Sequence, residues 1–174
     1  MKTVAKSHGF VTRTIHWLSA ALVVYGYVKG LDNVSQLNDP ALLRFEVLFA
    51  LVLGAVFALR WVWTNCFAGA TRLPQDAPRW EQVASRLVHS GLYIAVFAIV
   101  LSGLGIALGF SVPVLGGLFL SAMLAFHEAS LVALPVLLVL HIAGAVWHKL
   151  VRRDGVMESM TGRLPPAFAR SAEV

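Results

Sequence analysis

The sequence predicts an all-α integral membrane protein, a four-transmembrane-helix bundle with both termini cytoplasmic, and three observations carry that expectation. The first is composition: 58% of the 174 residues are apolar and 13% are charged, against roughly 25% charged in ordinary soluble domains. Mean hydropathy is +0.75. The second is that the apolar residues gather into four runs, 14–31, 41–63, 84–110 and 123–150. Each is near or above the roughly 18 to 20 residues that a helix needs to cross about 30 Å of hydrocarbon. The third is charge placement. Of the 14 Lys and Arg, all but Lys29 and Arg44 fall in three places. Lys2, Lys6 and Arg13 precede the first run; Arg60, Arg72, Arg79 and Arg86 flank the second connection; Lys149, Arg152, Arg153, Arg163 and Arg170 follow the last run. Lys and Arg are retained preferentially on the cytoplasmic side, which puts both termini there.

The elements follow in order. The first run lacks a small-residue cleavage site after a short apolar core, so it reads as a mature helix and not a signal peptide. Residues 32–40, DNVSQLNDP, form a polar turn with Pro40 at the first turn of helix 2, and 68–80, AGATRLPQDAPRW, a cytoplasmic loop. The third connection, GFSVPVLGGLFLS, carries no charge. Pro135 interrupts the middle of helix 4 and should bend it. Residues 1–160 form one membrane domain and 161–174 an extended tail. The five tryptophans, Trp17, Trp61, Trp63, Trp80 and Trp147, fall near the cytoplasmic ends as an aromatic belt. The net charge of +5 is accounted for by topology and anionic-lipid contact; basic residues without aromatic interleaving argue against a nucleic-acid partner. The single Cys66 excludes an internal disulfide and a cysteine metal cluster. Neither a glycine-rich phosphate loop nor a serine or cysteine nucleophile motif is present.

The fourth run carries His127, His141 and His148, spaced fourteen and seven residues apart. At about 100° per residue these spacings return to within about 40° and 20° of the starting direction, so all three share one helix face. Ionisable groups inside a membrane are costly and suspect of function. A lone imidazole on an apolar helix more often satisfies a backbone carbonyl than binds a metal, but three on one face shift the balance toward ligation. His127 and His141 lie about 21 Å apart along the axis, a separation that would set one haem iron near each surface. Bundle interiors build cofactor sites from facing helices, and His16, three residues from Arg13 on helix 1, offers a second imidazole. Depth leaves its partner open between His141 and His148. His89, three residues inside Arg86, is open to a haem propionate, a quinone site or simple bundle packing. His8 is expected to be solvated. Gly26, Gly54, Gly91 and Gly144 suit either a flat macrocycle or, more simply, close helix packing.

The segments TIHW on helix 1, FHE at the start of helix 4, LHIAGAVWHKL fourteen residues on, and RRDGVMESM after it resemble the bacterial cytochrome b561 family over about Lys6 to Met160. The resemblance implies a bacterial inner-membrane, four-helix cytochrome that typically holds two b haems and exchanges electrons with quinones or redox partner proteins. It implies that His16 and His141 are the axial pair of the cytoplasm-side haem. The family's outer haem takes a histidine from the first turns of helix 2 together with the position of His127. Here Glu46 stands where that histidine is expected, and helix 2 has no histidine at all.

Three outcomes follow for the outer position: no haem, a haem on His127 alone or with Glu46 as a weak oxygen ligand, or a ligand from another subunit. Glu46 reads equally as a surface partner of Arg44 near a helix N-terminus, and Glu128 as an interfacial charge. Arg13, His89, His148 and Arg153 are candidates for propionate or quinone contacts. The function expected is electron transfer between the quinone pool and a partner protein or a small acceptor such as superoxide. The resemblance leaves open whether the chain catalyses by itself or only relays. The competing class is a non-redox four-helix anchor in a larger complex.

Overall fold

In the computed structural model, which describes residues 8–30, 34–68 and 77–162, the four apolar runs are four long helices, and no strand occurs among the described residues. Helix α1 is Phe10–Val28, α2 Pro40–Trp63, α3 Arg79–Ser111 and α4 Leu118–Trp147; a short α5 spans Val156–Thr161. Three segments, Pro40–Phe67, Arg79–Ser111 and Leu118–Arg152, are long and apolar enough to cross a membrane. Helix α1, with 19 residues that include Arg13, His16 and Ser19, is not among those three.

Local chemistry explains the helix ends. Asp39 accepts from the Ala41 N–H at 2.9 Å, and Pro40 occupies the first turn, where its missing N–H costs nothing. Helix α3 begins at Arg79, five residues before the apolar run, because its first turn is polar: the Pro78 carbonyl accepts from Gln82 N at 3.2 Å. Helix α4 begins at Leu118. The third connection is therefore shorter than the expected 109–121 and is confined to 112–117, where Gly117 turns the chain with φ 68. Helices α2 and α4 end in wide π-type turns, Thr64–Ala68 and His148–Arg152. Helix α5 lies in a segment that sequence periodicity did not reveal. The expected tail falls, from residue 163 on, outside the described residues, as do Lys2, Lys6, Arg72, Arg163 and Arg170.

Helix α3 packs along α4 and α2, and α1 lies on α2. The core is small: Leu53 and Phe57 of α2, Ala95, Val96 and Val100 of α3, and Leu134 of α4. Large apolar side chains such as Ile94, Leu101 and Val132 face outward. In hydrocarbon these lose nothing by exposure, and helix association rests on close packing. A Cβ on Gly26 would stand 3.1 Å from Phe49, on Gly54 3.1 Å from Val100, and on Gly91 3.0 Å from Leu137. These three glycines serve helix contact.

Helix α4 runs unbroken through Pro135. Proline cannot donate to the carbonyl four residues back, which belongs to Leu131. Tyr27 of α1 supplies the missing donor, its hydroxyl 2.6 Å from the Leu131 oxygen. A neighbouring helix thus satisfies the backbone group that proline frees.

Candidate cofactor site

Each long helix sends one polar side chain to a common locus near the end of the bundle where α1 begins and α4 ends. His16 comes from α1, Arg60 from α2, His89 from α3 and His141 from α4. The ring centroids of His16 and His141 are 6.2 Å apart, and His89 meets His141 edge-on at 4.9 Å. All four side chains are partly buried.

The hydrogen bonds assign protons. Arginine has only donors, so the contact of Arg60 Nη2 with His16 Nδ1 at 2.8 Å makes that nitrogen an acceptor. Arg60 Nη1 donates to Ser19 Oγ at 2.8 Å, and Ser19 Oγ, fully buried, donates to the His16 carbonyl at 2.8 Å. The Arg60 guanidinium also lies 5.9 Å from the Phe57 ring centroid and 5.7 Å from that of Tyr93, within cation–π range. His89 Nδ1 donates to the Ser85 carbonyl at 2.6 Å, leaving Nε2 without a proton when the ring is neutral.

Does this donor set fit a haem? Two imidazoles that bind one iron from opposite sides at metal–nitrogen distances of about 2 Å have centroids roughly 6 Å apart. His16 and His141 have that spacing, whereas His89 and His141 are too close. A Cβ on Gly144, one turn beyond His141, would meet nothing within 4 Å, unlike one on Gly26, Gly54 or Gly91. That open space beside His141 suits a flat ring. Among the described residues no three His, Cys, Asp or Glu converge as they would on a bare metal ion. Two facing imidazoles are instead a donor set that could hold a haem, whose ring would bring the remaining nitrogens itself.

His148 lies elsewhere. It is buried at the end of α4, with Nδ1 2.7 Å from Asp154 Oδ2. Asp154 Oδ1 accepts from Val156 N at 3.2 Å, so the pair ties the π-type turn to α5. Beside it, buried Glu81 accepts from Trp147 Nε1 at 3.3 Å and stands 3.5 Å from Arg152 Nε. Arg153, exposed, takes the left-handed conformation at φ 52, and its N–H donates to the His148 carbonyl at 2.7 Å. Arg13 lies against Gly162 at the end of α5, where a cation favours the carbonyl end of a helix. Neither arginine contacts the histidine cluster. His8, expected to be solvated, is half-buried, with its backbone N–H 3.4 Å from the Ser159 carbonyl. The short α5 gives it a surface to dock on.

At the opposite end, His127 Nδ1 is 2.9 Å from Ser102 Oγ. The one hydroxyl proton of Ser102 goes to the Ala98 carbonyl at 2.5 Å, so His127 is the donor and Nε2 is its bare nitrogen. Glu46 is half-buried on α2 and makes no ion pair or hydrogen bond with Arg44, or with His127, among the described residues. The expected Arg44–Glu46 surface pair does not form.

Sequence reasoning missed Arg60, Glu81 and Asp154. Asp154 carried a signal in RRDG, six residues after His148; Arg60 had been counted as a topology charge.

A family described as prokaryotic cytochrome b561 matches residues 7–163 of the chain. No curated protein and no solved structure matches it.

Proposed function

Because the chain belongs to the prokaryotic cytochrome b561 family, we propose that it is a membrane b-type cytochrome that carries single electrons between a quinone and a redox partner or small acceptor. The observation that carries this reading is the pair of opposed imidazoles, His16 and His141, with centroids 6.2 Å apart. These two residues would hold one haem b, with Gly144 leaving room beside the ring. Such a haem supplies a reversible one-electron couple whose potential depends on its axial ligands and surroundings.

The chain's own residues do the rest. The first and last helices each fix one imidazole, and the apolar bundle between them keeps water from the site. His89 lies in the same locus. His148 is assigned to the quinone side: with Asp154 accepting from Nδ1, Nε2 is the nitrogen left to exchange a proton with a quinol oxygen. In this reading α1 is a fourth span, both termini are cytoplasmic, and the membrane is the bacterial inner membrane. The outer position holds no second haem, since His127 has no imidazole opposite it on α2.

The pyridine haemochrome assay on the purified chain tests this directly. One haem per polypeptide is expected, with a b-type reduced-minus-oxidised spectrum. His16→Ala and His141→Ala should each abolish it, and His127→Ala should leave it intact. A colourless wild-type protein would overturn the redox reading, and a His16→Ala variant with its full haem complement would overturn the axial assignment.

A further inference from the structure

Arg60 is a cation in the bundle interior with no carboxylate partner among the described residues. Its neighbours are three neutral polar groups, His16, Ser19 and the Tyr93 hydroxyl, and the rings of Phe57 and Tyr93. A charge withdrawn from water is expensive unless an opposite charge offsets it, so the locus is short of one anion.

The proton assignment sharpens this. Arg60 holds His16 Nδ1 as an acceptor. A neutral imidazole that binds iron through Nε2 carries its proton on Nδ1, and that nitrogen then becomes a donor facing another donor. Ligation by a neutral His16 and the Arg60 contact are therefore mutually exclusive. The guanidinium is then left with the neutral Ser19 and Tyr93 hydroxyls, and the described residues supply it no carboxylate. Haem b itself brings two carboxylates.

We propose that Arg60 is the residue that binds a haem propionate, exchanging its contact with His16 for a bidentate pair with the carboxylate when His16 takes the iron. Arginine's planar fork matches a carboxylate, and Phe57 and Tyr93 give the guanidinium aromatic faces to rest on. Arg60 thereby couples haem entry to the tautomer of the axial ligand: the anion that releases His16 arrives with the iron that needs it. This inference rests on the haem reading above.

The test measures haem loss from the full-length holoprotein to excess apomyoglobin. Wild type, Arg60→Lys and Arg60→Gln are each loaded with native haem or with haem dimethyl ester, which lacks the carboxylate charges. With native haem, Arg60→Gln should lose haem on the order of tenfold faster than wild type, the scale of a hydrogen bond to a charged group. Arg60→Lys should recover part of that difference. With the dimethyl ester, wild type and Arg60→Gln should lose haem at the same rate. Equal rates with native haem would overturn the proposal while leaving the His16–His141 site standing. So would an equal acceleration with both haems, which would make Arg60 a packing residue only. A wild-type chain that binds neither haem would remove the haem reading and this inference together.

Discussion

His148 and Asp154 form a buried pair at the end of α4, and the contact holds a turn as well as a ring. Removing the carboxylate would leave His148 Nδ1–H without an acceptor, and an unsatisfied buried donor costs about 1–3 kcal/mol. Asp154→Ala should therefore lower stability by about that amount in a denaturant titration, with Asp154→Asn milder because its side-chain oxygen can still accept. An unchanged midpoint in both variants would show that the turn does not depend on the pair. Among individual residues, those that recur at helical spacing were legible. His127, His141 and His148 declare a shared face by their intervals alone, and His16 and His89 each sit three residues from a flanking arginine, at a matching depth. Arg60 was not legible, for a physical reason. Helix α2 is apolar on every side, so its pattern carries no phase, and sequence cannot say whether its one interior charge points to the bundle or to the interface. The answer lies in tertiary packing: Arg60 follows Phe57 by three residues and Leu53 by seven, both in the core.

At the scale of elements, the α1–α4 contact turns on Pro135. Its missing N–H frees the Leu131 carbonyl, which Tyr27 takes at 2.6 Å. Tyr27→Phe should then cost about 1 kcal/mol in the wild-type background. In a Pro135→Ala background the backbone N–H restored at that position can serve the carbonyl instead, and the same change should cost clearly less. The two effects form a double-mutant cycle whose non-additivity reports the coupling, read as unfolding midpoints of the four proteins. Additive costs would mean that Tyr27 stabilises α1 independently of the proline. The existence of the four long helices was legible from the length of the apolar runs, which in a membrane protein is a direct consequence of bilayer thickness. Their ends were not. Apolar runs mark where hydrocarbon lies, while the helical hydrogen-bond ladder continues into polar residues, as it does from Arg79 onward in α3 and from Leu118 in α4. Helix α5 and the π-type turns are too short for periodicity to detect.

Across the whole molecule, the two ends of α4 differ in what faces them. At the end where α1 begins and α4 ends, His141 meets His16, His89 and, through His16, Arg60. At the other end, about 21 Å away along the helix, His127 meets Ser102 and the α3 backbone at Ile99, and no second imidazole among the described residues. Its Nδ1–H is nonetheless held by a hydroxyl that is itself anchored to the α3 backbone. That is the outer contact which commonly orients a metal-binding histidine, and it leaves Nε2 bare. In the proposed single-haem protein the outer position would thus keep one prepared ligand without the other, and electrons would enter and leave at one end. If Glu46 is what cuts the path, Glu46→His should raise haem stoichiometry from one to two per chain, and a redox titration should resolve two midpoint potentials. Glu46→Gln, which removes the charge without adding a nitrogen ligand, should stay at one haem. Combining Glu46→His with Ser102→Ala should weaken the second site and spare the first, because only His127 depends on that hydroxyl. A Glu46→His chain that still holds one haem would place the loss beyond α2, and the helices around His127 would then have closed over the space that a second ring requires.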